Sequence, residues 1–302
     1  MVRFGVRNGI QRYRCRVSKT TRSDSPENPL GEMRVPIEKA VQVVNLLCES
    51  TGIRACERLT GLNRRTVLSI LRMAGLKAAR YTNGKVRNVK AEVVQADEIH
   101  TIVECRQQNA FPHETRKGAQ FMFISMDRNS KLIINTLVGK RTRDNAHRFM
   151  GVLSRRVAGR FQLVTDNWKS YSGRDGGAVS STFGNNVDYA TETKVFGRYE
   201  DYLPRTVIAI RRKRRIGEPD MDEATTCHVE RTNLSVRTFT RRFTRCTLGY
   251  SKKLENLRLA VWLFVWHFNF CRKHSAHGKT PAMAAGLTDK PMTIAELLSP
   301  TI

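Results

Sequence analysis

The sequence predicts an α/β protein in which a mixed sheet with flanking helices follows a group of N-terminal helices. Residues 37–75 have apolar side chains at helical spacing. Residues 91–104 nearly alternate and are rich in β-branched side chains, and an apolar hairpin follows in 120–139. A helix and a further strand then occupy 144–171. Strand, hairpin, helix and strand in this order are typical of an α/β domain with a mixed sheet.

Positive charge is the strongest signal in the composition. The chain has 302 residues, enough for about two domains, and 53 Lys and Arg against 27 Asp and Glu give a formal charge of +26. A hydrophobic fraction of 40% excludes a wholly disordered basic tail. Because such a charge repels itself, it indicates a polyanionic partner.

Membrane insertion and secretion are not expected. The longest uncharged apolar stretch, 259–271, is shorter than the roughly twenty residues of a bilayer span. The N-terminus lacks the apolar run of a secretory signal. Seven scattered cysteines form no CxxC pair, so neither a disulfide framework nor a zinc ribbon is indicated. We expect a cytoplasmic, nucleoid-associated protein.

A basic segment opens the chain. Residues 1–34 carry seven Lys or Arg before Asp24, and the turn-prone stretch 23–31 follows. This composition predicts a flexible arm that lies along phosphates, with a solvated tail of no specific role as the alternative.

Three helices are predicted next. Apolar residues in 37–49 recur at the i, i+3, i+4, i+7 positions of an amphipathic helix. A short helix over 53–60 ends at Gly61, and a third over 63–75 has Asn63 as its N-cap.

The second and third helices suit a helix-turn-helix. Gly75 is expected to stop the third helix, and the basic residues 77–90 fit a linker. We therefore assign 35–80 to a helix-turn-helix DNA-binding domain, with a plain three-helix bundle as the alternative. In that motif the second helix meets DNA with its first residues, which are here Arg64, Arg65 and Thr66.

The sheet is predicted within a second domain, 81–300. Its first strand is 91–104, and the hairpin in 120–139 turns at Asp127–Ser130. The stretch 161–171 contains a short apolar strand that ends in an acid.

The remaining helices flank that sheet. Residues 144–158 are predicted to be helical with Asp144 as the cap, and helix resumes at 227–243 and 253–273. Between them, 172–226 is loop-like with short strand candidates, and we interpret it as an insertion on one edge of the sheet.

Three carboxylates stand where a sheet domain gathers them. Asp97 lies in the middle of the first strand, Asp166 follows an apolar strand, and Glu230 lies in the first turn of a helix. An acid inside an apolar strand is costly to bury unless it is paired or metal-bound, and converging acids suit Mg²⁺ or Mn²⁺. Glu98 points to the opposite sheet face, so it is interpreted as a surface acid.

The helix around Glu230 supports a functional role. At about 100° per residue, Asn233, Arg237 and Arg241 share its stripe. A carboxylate beside an amide and arginines suits a metal ion and DNA phosphate. The alternative is a surface glutamate that pairs with Arg231 or Arg237.

Further side chains are candidates for contact with DNA. Trp168, close to Asp166, is a candidate for stacking on a base. A basic run and the arginines of 231–245 form a possible track for the phosphate backbone. The run consists of Arg211, Arg212, Lys213, Arg214 and Arg215.

A family resemblance emerges from these motifs. The block HVERTNLSVRTFTRRFTRCTLGYSKKLENLRLAVWLF (228–264) resembles the C-terminal catalytic block of bacterial insertion-sequence transposases of the IS-one family. The strand QADEIHT with Asp97 and the strand end VTDNWKSY with Asp166 resemble the same family. FNFCRKHSAHGKTPAMAAGL (268–287) resembles the closing segment of integrase-like transposases. The similarity covers roughly 36–288.

The resemblance implies an RNase-H-like catalytic core with a DDE site. Asp97, Asp166 and Glu230 would hold two Mg²⁺ or Mn²⁺ ions, with Asn233 and Arg237 beside them. It also implies cleavage and strand transfer on double-stranded DNA, at terminal inverted repeats and at a target, by a homo-oligomer.

The chain departs from the family in two respects. It lacks the Cys-rich zinc module with which many relatives begin, and the 64-residue gap from Asp166 to Glu230 exceeds the spacing of many relatives. Two other functions remain open: a non-catalytic helix-turn-helix regulator or defunct transposase, and a metal-dependent nuclease that cuts without joining.

Overall fold

The computed structural model describes residues 1–7, 10–23, 30–31, 33–173, 176–197, 206–245 and 247–299. Within the N-terminal segment, three short strands form an antiparallel sheet: β1 (Val2–Arg7), β2 (Ile10–Arg14) and β3 (Thr21–Ser23). The sequence predicted a flexible arm over 1–34, and among its described residues those of β1, β2 and β3 pair with one another. Most side chains of β1 and β3 are exposed.

Three helices follow, as predicted: α1 (Ile37–Cys48), α2 (Ile53–Thr60) and α3 (Arg64–Lys85). Gly61 adopts the left-handed conformation that ends α2, at φ 73°. The Asn63 side chain accepts a hydrogen bond of 2.9 Å from the Arg65 N–H, which confirms the predicted N-cap.

The third helix does not stop at Gly75. It continues to Lys85, so residues 77–85 are helical rather than a linker, and the helix crosses the boundary predicted at residue 80. A Cβ at Gly75 would lie 2.6 Å from the carbonyl oxygen of Leu259. The glycine therefore permits close approach of a second helix, which the sequence pattern could not distinguish from a stop signal.

The main sheet has six strands in the order β6-β5-β4-β7-β8-β9. The strands are β4 (Val93–Val103), β5 (Gly118–Asp127), β6 (Ile133–Gly139), β7 (Gln162–Thr165), β8 (Asp188–Phe196) and β9 (Val207–Ile216). β4, β7 and β8 are parallel to one another, and β5, β6 and β9 are each antiparallel to their neighbours. β4 is therefore a central strand.

The other helices flank this sheet. They are α4 (Arg143–Ser154), α5 (Lys169–Ser172), α6 (Ala178–Phe183), α7 (Cys227–Phe239), α8 (Leu254–Trp266), α9 (Pro281–Ala284) and α10 (Ile294–Leu298). Thr142, not Asp144, caps α4, because its hydroxyl accepts from the Asn145 N–H. The region 172–226, interpreted as an insertion, contributes β8 and β9 to the sheet itself; its residues 174–175 and 198–205 lie outside the described residues.

Two apolar cores cover the faces of the sheet. One contains Phe123 and Phe149 together with Ile70 of α3 and Trp266 of α8. The N-terminal helices thus share a core with the sheet, and a separate all-α domain is not seen. The other core lies between the sheet and α7, around residues such as Ile99. The predicted class, an α/β fold with a mixed sheet and flanking helices, is confirmed. No described helix has the length and apolar character to cross a bilayer.

Candidate active site

Strand pairing brings the two aspartates together. Ala96 of β4 lies opposite Thr165 of β7 in the parallel pair. Asp97 and Asp166 are the next residues, so they lie side by side where β7 ends. One carboxylate oxygen each from Asp97, Glu98 and Asp166 lies within 4.8 Å of the others. Three oxygen donors therefore meet at the edge between the central strands.

Gln95 fixes the helix that carries Glu230. Its side-chain carbonyl accepts hydrogen bonds of 3.1 Å and 3.0 Å from the backbone N–H groups of His228 and Val229. These are N-terminal groups of α7 that have no partner within the helix. Gln95 and Asp97 are two residues apart on β4 and share a sheet face. The first turn of α7 is thereby held beside Asp97.

The three predicted carboxylates line one open cavity. Asp97, Asp166 and Glu230 all border a cavity of about 430 Å³, together with Arg141 and Lys194. Glu230 does not belong to the tight oxygen cluster of Asp97, Glu98 and Asp166. The structure therefore brings the triad to one place, with the glutamate on a separate wall.

Each of these carboxylates has a polar partner. Asp97 accepts a hydrogen bond of 2.7 Å from the Asn233 amide of α7. Asp166 accepts from Arg141 at 3.0 Å and from the Trp168 N–H at 3.1 Å. The two aspartates are thus held in place by an amide, a guanidinium and a backbone N–H.

Glu230 pairs across the cavity with a strand residue. Its carboxylate contacts the Lys194 ammonium of β8. The alternative from the sequence, a local pair with Arg231 or Arg237, is not the ion pair seen. The Thr226 hydroxyl lies 2.8 Å from the second Glu230 oxygen. The glutamate therefore points into the cavity and not along its own helix surface.

Glu98 is buried, which differs from the prediction. Its side chain is 2% exposed, whereas the sequence analysis interpreted it as a surface acid. It lies on the opposite sheet face from Asp97, as expected, but that face is covered by the first apolar core. Arg141 donates a hydrogen bond of 2.9 Å to it. One guanidinium therefore contacts both Glu98 and Asp166.

Burial and mutual repulsion raise two pKa values here. Burial raises the pKa of Asp97 to about 6, and the charges of Asp166 and Glu230 add to the effect. Burial likewise raises the pKa of Glu98 to about 7, with repulsion from Asp166. A raised carboxyl pKa means that the ionised form is disfavoured without a compensating cation. Such a cluster favours binding of an additional positive charge.

Glu192 is a site residue that the sequence analysis missed. This β8 side chain is 2% exposed and pairs with Arg212 at 3.3 Å. It accepts a hydrogen bond from the Thr226 N–H at 3.1 Å, and the Thr226 hydroxyl, which is 2.8 Å from Glu230, lies 3.0 Å from the same Glu192 oxygen. Thr226 thus connects Glu192 to Glu230. In the sequence Glu192 comes directly after the short strand candidate VDYAT, 187–191, and so lacked the strand context that identified Asp97.

Trp168 lies at the cavity but is packed. Its ring meets Tyr171 edge-on at 5.0 Å between centroids, and Phe123 lies 6.2 Å away. The Arg141 guanidinium lies over the ring at 4.4 Å. The residue therefore positions Arg141, and its stacking on a base stays a prediction.

The candidate DNA contacts at the start of α3 face outward. Arg64 and Arg65 are exposed, and Thr66 is half-buried. The basic run lies on β9, the edge strand next to β8. Arg211, Arg212, Lys213 and Arg214 are exposed and Arg215 is half-buried. Arg214 pairs with Glu218, and Arg215 donates to Thr191 at 3.1 Å.

The stripe predicted on the Glu230 helix is shorter than expected. Asn233 is buried against Asp97, and Arg237 is half-buried on the same helix. The helix ends at Phe239 because Thr240 takes an extended conformation. Arg241 therefore lies in a separate 3₁₀ turn, exposed, and the prediction that it shares the helical stripe of Glu230 is wrong.

Comparison with known proteins yields distant structural likenesses. The sequence matches no protein-family model, and no curated protein matches it. The chain is similar to a simian T-cell lymphotropic virus intasome in complex with PP2A regulatory subunit B56 gamma, at 16% identity and a TM-score of 0.40 over 84% of this chain and 77% of that chain. It is also similar to a piggyBac transposase synaptic complex with hairpin DNA, at 10% identity and a TM-score of 0.40 over 87% of this chain and 72% of that chain.

A third likeness is to a Mos1 mariner paired end complex with Mn, at 11% identity and a TM-score of 0.28 over 81% of this chain and 80% of that chain. At such identities and TM-scores, these likenesses establish neither family nor activity.

The donor set fits a divalent metal. Asp97 and Asp166 supply closely spaced carboxylate oxygens, the ligands that Mg²⁺ and Mn²⁺ prefer. Burial is the main cause of the raised pKa of Asp97, and a bound cation would favour the ionised form of this carboxyl. Glu230 lines the same cavity and can contribute a third carboxylate.

Proposed function

We propose that this chain is a DNA transposase of an insertion sequence, which binds terminal inverted repeats, cleaves phosphodiester bonds and joins a 3′-OH to target DNA. The observation that carries the proposal is the convergence of Asp97, Asp166 and Glu230 on one open cavity. A formal charge of +26 supports a nucleic-acid substrate. The proposed setting is the bacterial cytoplasm.

The three carboxylates are the proposed metal ligands. Two Mg²⁺ or Mn²⁺ ions bound there would activate the attacking hydroxyl and stabilise the leaving oxygen. The chain itself orients the ligands: Asn233 holds Asp97, and the Trp168 N–H holds Asp166. Gln95 holds the helix of Glu230 by its N-terminus.

Proton release accompanies the proposed binding of metal. Asp97 has a pKa of about 6, so part of its population is protonated just below neutral pH. Ligands must be deprotonated to bind a cation. Metal affinity is therefore expected to rise with pH up to about pH 7.

The exposed basic residues are the proposed DNA contacts. Arg64, Arg65 and Thr66 at the start of α3 are assigned to repeat recognition by a helix-turn-helix. The basic run Arg211–Arg215 on the edge strand, with Arg237 and Arg241, is assigned to phosphates. Because transposition joins two ends, a homo-oligomer on DNA is part of the proposal.

The test is cleavage and joining of DNA that carries the element's own ends, with Mg²⁺ or Mn²⁺, for wild type and Glu230→Gln. We expect metal-dependent nicking and joining that the substitution abolishes while DNA binding persists. Glu255→Gln is the matched control, since Glu255 is an exposed glutamate in the first turn of α8.

Other results would replace the proposal. Nicking without joining would indicate a nuclease. DNA binding without cleavage by the wild type would indicate a regulator or a defunct enzyme.

A further inference from the structure

A second cavity adjoins α7, on the side away from the carboxylates. It has a volume of about 370 Å³. It lies between α7 and the segment 272–275, which follows α8 and the turn of π-helix at His267–Cys271. Its basic lining consists of the cations Lys131, Arg231, Arg272 and Lys273 and the imidazoles of His228 and His274. We call this cavity the cationic groove.

The cationic groove has no internal counter-charge. No carboxylate is among the described residues that line it. Within the described part of the chain, none of Lys131, Arg231, Arg272 and Lys273 forms an ion pair with an acid. Like charges brought together without a counter-ion repel one another. The groove is therefore suited to an anion from outside the chain.

Local contacts hold these cations in position. The Arg272 guanidinium lies 3.5 Å from the centroid of the Phe239 ring, which fixes its plane. The Lys131 ammonium donates to the Arg128 carbonyl and lies 3.2 Å from His228 Nδ1. Burial lowers the pKa of His274, and nearby His277, Lys131, Arg231 and Arg272 lower it further. The lysine and arginine side chains therefore carry the positive charge of the groove, and His274 favours its neutral form.

The groove and the carboxylate cavity share one helix. Glu230 lines the carboxylate cavity and the next residue, Arg231, lines the groove. Consecutive helical residues are about 100° apart around the axis. A polyanion that crosses α7 therefore meets both cavities.

We propose that the cationic groove binds the phosphodiester backbone of DNA, as a contact separate from the carboxylate cavity and from the basic run on β9. A surface that binds phosphates requires several fixed cations on exposed arginine and lysine side chains, with no acid among them. The identity of the polyanion rests on the proposed function, but binding there requires no metal chemistry.

The test uses the full chain in EDTA, so that cleavage does not contribute. Arg272→Gln with Lys273→Gln removes two exposed groove charges outside α7. The matched control, Arg80→Gln with Lys290→Gln, removes two exposed charges that line neither cavity. Fluorescence anisotropy measures binding of a labelled duplex and of one strand of it between about 50 and about 200 mM salt. Thermal unfolding confirms that both variants fold.

We expect the groove variant to bind duplex at least about tenfold more weakly than the control at moderate salt. The slope of log affinity against log salt should shrink by about two, one for each lost phosphate contact. Equal affinities and slopes for groove and control variants would overturn the proposal. So would weaker binding with an unchanged slope, or binding of the single strand alone.

The result is separable from that of the cleavage test. An effect on binding in EDTA supports the groove even where metal-dependent cleavage fails. Cleavage that depends on Glu230, with binding unaffected in the groove variant, would support the proposed function and overturn the groove.

Discussion

The two cavities beside α7 have opposite charge arrangements. In the carboxylate cavity two acids form ion pairs with bases: Glu230 contacts Lys194, and Asp166 contacts Arg141. In the cationic groove no described acid faces the bases. One helix thus separates a site whose charges are largely paired within the chain from a site whose charges are not.

The difference determines what each cavity can bind. A metal ion in the carboxylate cavity must compete with Lys194 and Arg141 and must displace protons from Asp97. An anion in the groove displaces no acid from it. Affinity in the first cavity should therefore depend on pH and on these basic side chains, and affinity in the second should depend on salt.

The largest expected effect is loss of cleavage in Asp97→Asn. Asp97 lies between Asp166 and α7, the helix that carries Glu230, and accepts a hydrogen bond from Asn233. Substitution of residues behind the ligands of a metal site typically costs 10–100-fold, so loss of a ligand should lower the cleavage rate by at least about 100-fold. The rate is measured with saturating DNA and Mn²⁺.

DNA binding in EDTA separates the two cavities in the same variant. Asp97→Asn should keep wild-type affinity for duplex, whereas the groove variant should lose it. Loss of DNA binding in Asp97→Asn would contradict the division of roles between the cavities.

The next effect is on stability without metal. The pKa of Asp97 rises from 3.8 to about 6 on folding, so the folded chain keeps a proton that the unfolded chain releases. The free energy of unfolding therefore falls as pH rises from about 4 to about 7. Each unit of pKa shift corresponds to about 1.4 kcal/mol, so Asp97→Asn should be more stable than wild type at pH 8 by up to about 3 kcal/mol.

Urea unfolding in EDTA at pH 5 and pH 8 measures this effect. Wild type should lose stability between the two values, and Asp97→Asn should lose less. Lys273→Gln, in the groove, should behave as wild type. Equal pH dependence in Asp97→Asn and wild type would show that burial of the Asp97 carboxylate does not cause the loss of stability with rising pH.

How much of this arrangement was predictable differs between elements. Periodicity and caps predicted α1, α2, β4 and the β5–β6 hairpin, because those signals are local. Gly75 was wrongly predicted to end α3. A glycine is needed there because α3 closely approaches Leu259, which is far along the chain. Contacts between distant segments, such as that one, carry no local signal.

The site shows the same division. The three candidate acids were identified from strand and helix context, and the structure brings them to one cavity. Their supports were not predicted: Gln95 acts on a helix more than 130 residues later, and Glu192 acts through Thr226. Burial of Glu98 depends on the packing of the opposite sheet face, which alternation alone does not give.

A smaller effect is expected for Glu192→Gln. The substitution keeps the side-chain shape but removes the charge that faces Arg212 and Thr226. Loss of charge-assisted hydrogen bonds should lower the free energy of unfolding by about 1–2 kcal/mol. Misplacement of Glu230 should lower the cleavage rate by about tenfold.

Glu218→Gln is the control for this substitution. Glu218 also pairs with an arginine of β9, Arg214, but its side chain is 80% exposed. It should change neither stability nor cleavage. If both variants behave alike in urea unfolding and cleavage, Glu192 does not position the site.

The smallest effect concerns competition between Lys194 and metal. The Lys194 ammonium contacts Glu230, and both side chains are partly exposed. Exposed ion pairs contribute about 0.2–1 kcal/mol, so Lys194→Gln should tighten Mn²⁺ binding by no more than about fivefold. Calorimetric titration of Mn²⁺ measures it, with Lys273→Gln in the groove as the unchanged control. Because the gain requires Glu230 to be a ligand, an unchanged affinity would leave Asp97 and Asp166 as the ion's only carboxylates from this triad.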